Sequence, residues 1–566
     1  MSRPTSRGTD RAWRPGRDRR AELLPAIAGR PVADHGRSVA VIGGGIAGLA
    51  AATALLERGV AVTVLERQPY FGGRAGAWPV RHAADSVTMS RGFHAFFRQY
   101  YNLRGLLRRA DPGLDRLRPV GDYPIRLAGG PTDSFARIPR TPPLSIAGFV
   151  LTSSSIRARD LARVDVGHAL GLLDVDFPDT FSAWDRVSAA EFLDRLRFPA
   201  QARHLALEVF ARSFFADPAD FAAGELLAMF HSYFVGSSEG LLFDVPDDDY
   251  DSALWGPLSR RLADQGADLL LETDVHSIDL AEQTVRVRHR PAGSTVGDGA
   301  ELTCDAVVIA VDPGGLAGLA RGVTAGVTGG ITGGITGADP DWLRQLGAVR
   351  TAPPFAVWRL WLDRPVAPGR PAFLATSGYG PLDNISVLDR YEAGSARWAA
   401  ERGGSVVELH AYALGGSGWS GSDPGHRAAA GQLKSRLRTE LAAVYPETAE
   451  ARVLAEEWRT DQDCVLVGPG PWADRPTVGT PDPRVVLAGD AIRCELPVAL
   501  MERAATTGFQ AANQLLAGWG VRGHDLWTVP RQSRQRWPGA LRHLLVRRLL
   551  GRQPLQPGNS PRHRNA

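Results

Sequence analysis

The stretch SVAVIGGGIAGLAAATALLERGVAVTVLERQPYFGGRAG, Ser38 to Gly76, decides how this chain folds. Val39 to Ile42 is a short apolar run that reads as a buried strand. Gly43, Gly45 and Gly48 spell G-x-G-x-x-G, and Ile46 to Arg58 is rich enough in alanine and leucine to be helix. Gly43 permits the tight turn, Gly45 leaves room for a pyrophosphate against the backbone, and Gly48, with Ala52 one turn later, lets the helix pack closely on the sheet. The helix start, Ala47 included, offers free N–H groups and a partial positive charge to a phosphate. Gly59 caps the helix, Val60, Val62 and Val64 alternate as a second strand, and Glu66, beside Arg67, follows Gly43 by 23 positions, where a carboxylate accepts from ribose hydroxyls. The unit is a βαβ nucleotide fingerprint.

Gly72, Gly73, Arg74 and Gly76 follow the acidic residue, and this GG-R-x-G extension resembles the FAD-binding family of amine oxidases, protoporphyrinogen oxidase and carotenoid desaturases. The resemblance implies tightly held FAD, and with no histidine or cysteine tether beside the GG-R-x-G loop the attachment is expected to be noncovalent. Further on, SRGFHAFFRQYYNLRGLLRR, Ser90 to Arg109, is an aromatic-rich turn leading into a basic helix. It resembles the plant and cyanobacterial carotene desaturases in Gly92, His94, Phe96, Phe97, Tyr100 or Tyr101, and Asn102. Ser90 departs from an expected acid, and Arg91 and Arg98 add positive charge. With Phe93, the stretch is most similar to the branch that aromatises carotenoid rings, the β-carotene desaturase/methyltransferase or isorenieratene synthase type. The resemblance places Gly92 and Phe93 beside the flavin and makes His94 the candidate base, with Tyr100 and Tyr101 behind it. The C-terminal stretch PRVVLAGDAIRCELPVALMERAATTGFQAANQLL resembles the same family's second FAD motif. There Gly489 and Asp490 follow a strand, Asp490 as acceptor for ribityl hydroxyls, and Met501 and Glu502 open a helix facing the flavin's pyrimidine end. Val275 is expected to contact the adenine end.

At 566 residues the chain is too long for one small core, while 44% hydrophobic and 22% charged residues describe an ordinary globular protein. Net charge is only +4, with Lys434 the sole lysine. Nine arginines fall in residues 1 to 37, and the last forty residues are basic too. Cys304, Cys464 and Cys494 are far apart and in no C-x-x-C pair, so neither a disulfide framework nor a metal site is indicated. No apolar signal core is evident, and Val39 to Leu56, the one long apolar stretch, is claimed by the nucleotide fold.

The expected fold class is α/β: a discontinuous Rossmann-like FAD-binding domain (38–125, 240–320, 455–520) with an inserted mixed α+β substrate lobe (126–239, 340–454), amine-oxidase-like. Residues 1–37 read as a disordered basic segment, 321–339 as a flexible Gly/Thr repeat, and 521–566 as a basic tail. Ser188 and Glu191 form a capping box that starts a helix. Ala267 to Ile278 reads as one strand. The segments around Phe355 to Leu362, Phe373 to Ala375 and Val406 to Tyr412 alternate as strands of one sheet, and Gln432 to Tyr445 is a surface helix. Phe210, Phe214, Phe215, Phe221, Met229, Tyr233 and Phe234 suit either a core or a long apolar tunnel.

The function implied is FAD-dependent aromatisation of a β-ionone end group with a methyl shift, reoxidised by a quinone or oxygen. The alternatives are an acyclic carotene desaturase, a carotenoid isomerase, an amine oxidase and a lipid carrier; Lys434, on a surface-patterned helix, weighs against the amine oxidase. An apolar tip, Leu144 to Leu151 between Pro142, Pro143 and Arg157, Arg159, together with leucines 541 to 549, predicts a cytoplasmic protein attached peripherally to membrane, with no nucleic acid partner.

Overall fold

The computed structural model describes residues 18–82, 85–136, 138–141, 144–154, 164–197, 214–294, 299–321, 334–415 and 424–533. Pro142, Pro143, Arg157, Arg159, Phe210, most of the Gly/Thr repeat and the leucines beyond 540 lie outside them.

The quoted stretch folds as read. Strand β1 (Ser38–Ile42), helix α1 (Ile46–Leu56) and strand β2 (Ala61–Leu65) are joined in one sheet by β3 (Asp268–Leu270), β4 (Ala306–Ile309) and β5 (Val485–Leu487). The order is β3-β2-β1-β4-β5, and every pairing is parallel. Three sequence-distant segments thus build one nucleotide sheet. Its apolar strands are buried on both faces, as a parallel sheet covered by helices requires. Helix α2 (Leu500–Gly518) lies across α1, and Gly508 permits the approach: a Cβ there would stand 2.3 Å from the Ala47 carbonyl oxygen.

A seven-stranded sheet forms the second layer. Its order runs from Val453–Asp461 through Phe355–Leu362, Ser405–Ala411, Asn384–Val387, Phe373–Ser377 and Ile125–Leu127 to Thr132–Asp133. The three segments read as one sheet are all in it. Residues 455–461, by contrast, belong to this sheet and not to the nucleotide domain, because the strand pairs along its length with Phe355–Leu362. The expected strand 267–278 is also two. Asp268–Leu270 edges the nucleotide sheet, the chain turns at Glu272 (φ +50°), and Thr273–Leu280 enters a separate four-stranded sheet. The end of the Gly/Thr repeat joins that sheet, Ile335 opposite Ile278.

The ends of the chain are partly structured, against expectation. Glu22–Leu24 pairs antiparallel with Leu526–Thr528, so residues 18–37 and 521–533 belong to the fold. The buried Asp18 carboxylate anchors this seam, accepting from the Tyr101 hydroxyl at 2.6 Å and Ser237 Oγ at 2.5 Å. The capping box at Ser188 forms by half: Ser188 Oγ accepts from the Glu191 N–H at 3.1 Å, while the Glu191 carboxylate turns to Arg195. No helix among the described residues is long and apolar enough to cross a membrane.

Candidate active site

A cavity of about 430 Å³ runs from the glycine turn to an aromatic chamber formed where residues 93–123 and Phe243 meet the inserted lobe. Its first part is lined by Gly43, Gly45, Ala47, Glu66, Arg67 and Val275. Three glycines here have three different jobs. Gly43 holds φ +103°, and a Cβ on it would stand 2.4 Å from the Ala310 carbonyl oxygen. Gly48 packs α1 on the sheet, where a Cβ would meet the Gly43 carbonyl oxygen at 1.9 Å. Gly45 is crowded by nothing: only Gly73 Cα lies near its Cβ position, at 3.8 Å. The space in front of Gly45 is therefore left open by the protein itself.

Gly45 is also the N-cap of α1, which has neither a side-chain cap nor an acidic residue in its first turn. Its N–H groups and dipole are free for an anion. Helix α2 begins without a side-chain cap as well, and Leu500, Met501 and Ala504 line the cavity. The Glu66 carboxylate accepts from the Gly44 N–H at 2.6 Å and the Gln68 N–H at 2.7 Å; burial raises its pKa, and those two bonds oppose the rise. Arg67 is held by Asp312 at 2.9 Å. Gly72 (φ +94°) fits under Trp255, whose indole donates to the Ala75 carbonyl at 2.6 Å. Arg74 pairs with Asp490 at 2.5 Å, and both line the cavity with Gly73 and Gly489. An open glycine cradle, two uncapped helix starts and a buried carboxylate fit a dinucleotide running from β2 to α2.

The second part is aromatic. Phe93, Phe97, Tyr100, Tyr123, Phe135 and Phe243 line it. Phe93 stacks on Phe373 at 4.3 Å, and Tyr123 on Phe135 at 4.9 Å. The Tyr100 and Tyr233 hydroxyls bond each other at 2.7 Å, so the chamber's polar atoms are largely turned on one another. His94 lies between the two parts. Its Nδ1 lies 2.8 Å from the Gly92 carbonyl, which fixes the proton there and leaves Nε2 as the basic nitrogen. Burial pushes its pKa down to about 4, so the ring is neutral at physiological pH.

Four expected site residues stand elsewhere. Tyr101 faces away from the cavity, bonded to Asp18. Glu502 does not reach the cavity either: its two oxygens accept from the Asn102 and Leu103 N–H groups, each at 2.9 Å, capping the helix Tyr101–Leu107. Gly92 backs the wall, its Cβ position 2.6 Å from His410 Cε1, and Gly48 serves packing alone. Arg91 lines the cavity but is no free cation, being paired with Asp463 at 2.6 Å and Asp461 at 3.4 Å.

Sequence reasoning missed a buried polar chain in the same wall. Arg359 and Glu408 face each other in register, and Arg359 Nη2 donates to Glu408 Oε2 at 2.6 Å and to Ser90 Oγ at 2.8 Å. Glu408 Oε1 lies 2.8 Å from His410 Nε2, and His410 Nδ1 lies 2.6 Å from the Tyr412 hydroxyl. Burial would raise the Glu408 pKa, but Arg359 and His410 outweigh it and hold the carboxyl at about 2. The signal was in VVELHAY: Glu408, His410 and Tyr412 recur at every second position of a strand, hence on one face.

Fold and site together define a dinucleotide-binding oxidoreductase with an apolar substrate chamber. Residues 46–516 match the family model for flavin containing amine oxidoreductases, and the chain belongs to that family, as a flavin-dependent enzyme. It is 52% identical over 537 residues to the carotenoid phi-ring synthase of Streptomyces griseus, spanning 94% of this chain and 97% of that one. A carotenoid phi-ring synthase of Chlorobaculum tepidum is 26% identical over 87% of this chain and 90% of its own. Among solved structures, cyclohexylamine oxidase from Brevibacterium oxydans superposes with a TM-score of 0.56 at 18% identity, over 86% of this chain and 98% of that one, a likeness of fold.

Proposed function

We propose that the chain is an FAD-dependent carotenoid ring desaturase, converting a β-ionone end group to an aromatic ring with a methyl shift. The observation that carries this reading is the continuity of one cavity from the Gly45 cradle to a chamber walled by aromatic rings, where Asp383 accepts from the Tyr412 N–H at 2.6 Å. The whole-length similarity to a carotenoid phi-ring synthase supports it over the acyclic desaturases. Bound FAD would supply the hydride acceptor, reoxidised by a quinone or oxygen. The chain's own residues do the rest: the chamber excludes water, the faces of Phe93, Phe97 and Tyr100 stabilise a developing ring cation, and His94 Nε2 takes a ring proton.

Expression in cells accumulating β-carotene is expected to yield a product with an aromatic ring and a displaced methyl, identified by mass and ring-proton NMR. Desaturation of phytoene or ζ-carotene instead, with β-carotene untouched, would move the protein to the acyclic class. The flavin should be released by acid precipitation, because no cysteine lines the cavity beside Gly72 and Gly73 except the buried Cys464, whose thiol burial pushes up to about 12. Colour left in the pellet would refute noncovalent binding.

Peripheral membrane attachment is part of the same proposal. On the helix Leu144–Thr152, Leu144 and Leu151 are 58% and 82% exposed, while Phe149 turns inward and stacks on Phe135 of the chamber wall at 5.6 Å. An apolar tip joined to the chamber suits a substrate confined to the bilayer. Flotation with anionic liposomes should carry the wild-type protein and lose it in Leu144→Ser/Leu151→Ser; equal flotation of both would clear the helix of that role.

A further inference from the structure

The wall that carries Arg359, Glu408, His410 and Tyr412 contains more polar machinery than holding two strands together requires. Arg359 and Glu408 are almost wholly buried, and so is His410. The chain of bonds reaches the cavity at its His410 and Tyr412 end, Tyr412 lying beside Phe215 and Phe355, while Arg359 and Glu408 stay behind the wall. The bond directions follow from the charges. Glu408 is held ionised by Arg359, so it accepts, and at 2.8 Å it claims the His410 Nε2 proton against the Phe93 N–H, which stands farther from the same nitrogen at 3.4 Å. His410 Nδ1 is then an acceptor, and the Tyr412 hydroxyl donates to it. The Asn384 amide donates to the Tyr412 oxygen at 2.9 Å, which fixes the phenol's orientation from the other side. Hydroxyl, imidazole and carboxylate stand in the order that activates a weak acid: a base in contact with the hydroxyl, and an anion orienting the base.

We propose that Tyr412 is a second proton acceptor for the substrate, acting through His410, with Glu408 and Arg359 as positioning residues. The inference rests on the ring-desaturation reading above. Aromatisation of a β-ionone ring removes two hydrides and two protons, from more than one ring carbon. In each desaturation bound FAD would take the hydride and be reduced. The neighbouring C–H bond then breaks: its electron pair becomes the new C=C bond, its proton goes to Tyr412 Oη, and the phenol's own proton moves to His410 Nδ1. No free phenolate forms, which matters because burial raises the Tyr412 pKa far above neutrality. The imidazolium formed faces the Glu408 carboxylate. His94, on the loop by Gly92, and Tyr412, at the end of the sheet strand that loop packs against, then give the cavity two separate proton acceptors, one for each desaturation.

The test compares wild type, Tyr412→Phe and His410→Gln in cells accumulating β-carotene, with flavin content as the measure of folding. Tyr412→Phe removes one oxygen and should keep its flavin. Its aromatic product is expected to fall by on the order of 100-fold, the usual worth of a general base, with incompletely desaturated rings accumulating. Purified wild-type holoenzyme should convert the ring more slowly in D2O, because a proton moves from tyrosine to histidine in the same step, and Tyr412→Phe should lose that solvent effect. A purely structural tyrosine would leave the solvent effect in place. Should His410→Gln lose its flavin, Tyr412→Phe still decides. Wild-type product levels from Tyr412→Phe, or a solvent effect that survives the substitution, would overturn the relay while leaving the ring reading standing. A wild-type protein that ignores β-carotene and desaturates an acyclic carotene would overturn the ring reading, and this inference with it.

Discussion

A Gly45→Val protein is expected to fold and to purify colourless. The backbone at Gly45 is extended (φ −75°, ψ −176°), a conformation open to any residue, and the nearest atom to its Cβ position is Gly73 Cα at 3.8 Å. The protein therefore tolerates a side chain there. A pyrophosphate seated on the α1 N-terminus does not, because the isopropyl group would fill the cradle in front of those N–H groups. Flavin content should drop from near-stoichiometric to almost nothing. Thermal stability should fall only by the lost binding contribution, about 4 kcal/mol where the cofactor is present at a thousand times its dissociation constant. Gly48→Ala is the contrast: its Cβ would stand 1.9 Å from the Gly43 carbonyl oxygen, so the turn itself must move and soluble protein should be scarce. A yellow Gly45→Val protein would remove the cradle from the cofactor site.

The difference between those two glycines marks what a sequence shows. The spacing of Gly43, Gly45, Gly48 and Glu66 is local, and local spacing dictated β1, α1 and β2 without help from the rest of the chain. His94 and Phe93 came from the resemblance of Ser90 to Arg109 to carotene desaturases, not from spacing. Tyr101 and Glu502 were misassigned because each is adjacent to a cavity residue, Tyr100 and Met501, and neighbours on a helix point about 100° apart. The Arg359–Glu408 pair was beyond reach, since it depends on the register between strands that are 49 residues apart in sequence. Alternation could put Glu408, His410 and Tyr412 on one face, but not say which face was buried or what cation waited there. Arg91 shows the converse error: counted as an added charge near the flavin, it is balanced by Asp461 and Asp463, which sequence distance had hidden.

Arg359→Met should be among the most destabilising single substitutions in the chain. Arg359 and Glu408 are 1% and 0% exposed, and Arg359 also donates to the Thr88 carbonyl at 2.7 Å and to Ser90 Oγ. Methionine fills part of the volume but leaves the Glu408 carboxylate with the His410 N–H as its remaining side-chain donor, and takes the cation away from Glu392, 3.9 Å from Arg359, as well. Breaking a buried pair from one side costs about 3–5 kcal/mol, most of it the desolvation of the stranded charge. The cost should depend on pH in a definite direction. In wild type the Glu408 pKa is depressed to about 2, so its stabilisation is fully present above the ordinary carboxylate range and is lost only as pH falls through that value. In Arg359→Met, burial acts with its main opponent removed and the Glu408 pKa should rise above its unfolded value. The penalty is then complete at neutral pH and shrinks as acid protonates the carboxyl. The stability gap between the two proteins, measured by urea unfolding, should accordingly narrow from pH 7 towards pH 5. Arg359→Met/Glu408→Gln supplies the decisive comparison, because it removes the stranded charge. It should recover much of the lost stability at pH 7 and narrow less, the remaining dependence belonging to Glu392, 3.9 Å from Arg359, whose carboxyl burial pushes up to about 7. A double substitution no more stable than Arg359→Met alone would mean that lost packing against Thr88 and Ser90, and not an unpaired carboxylate, is what the arginine prevents.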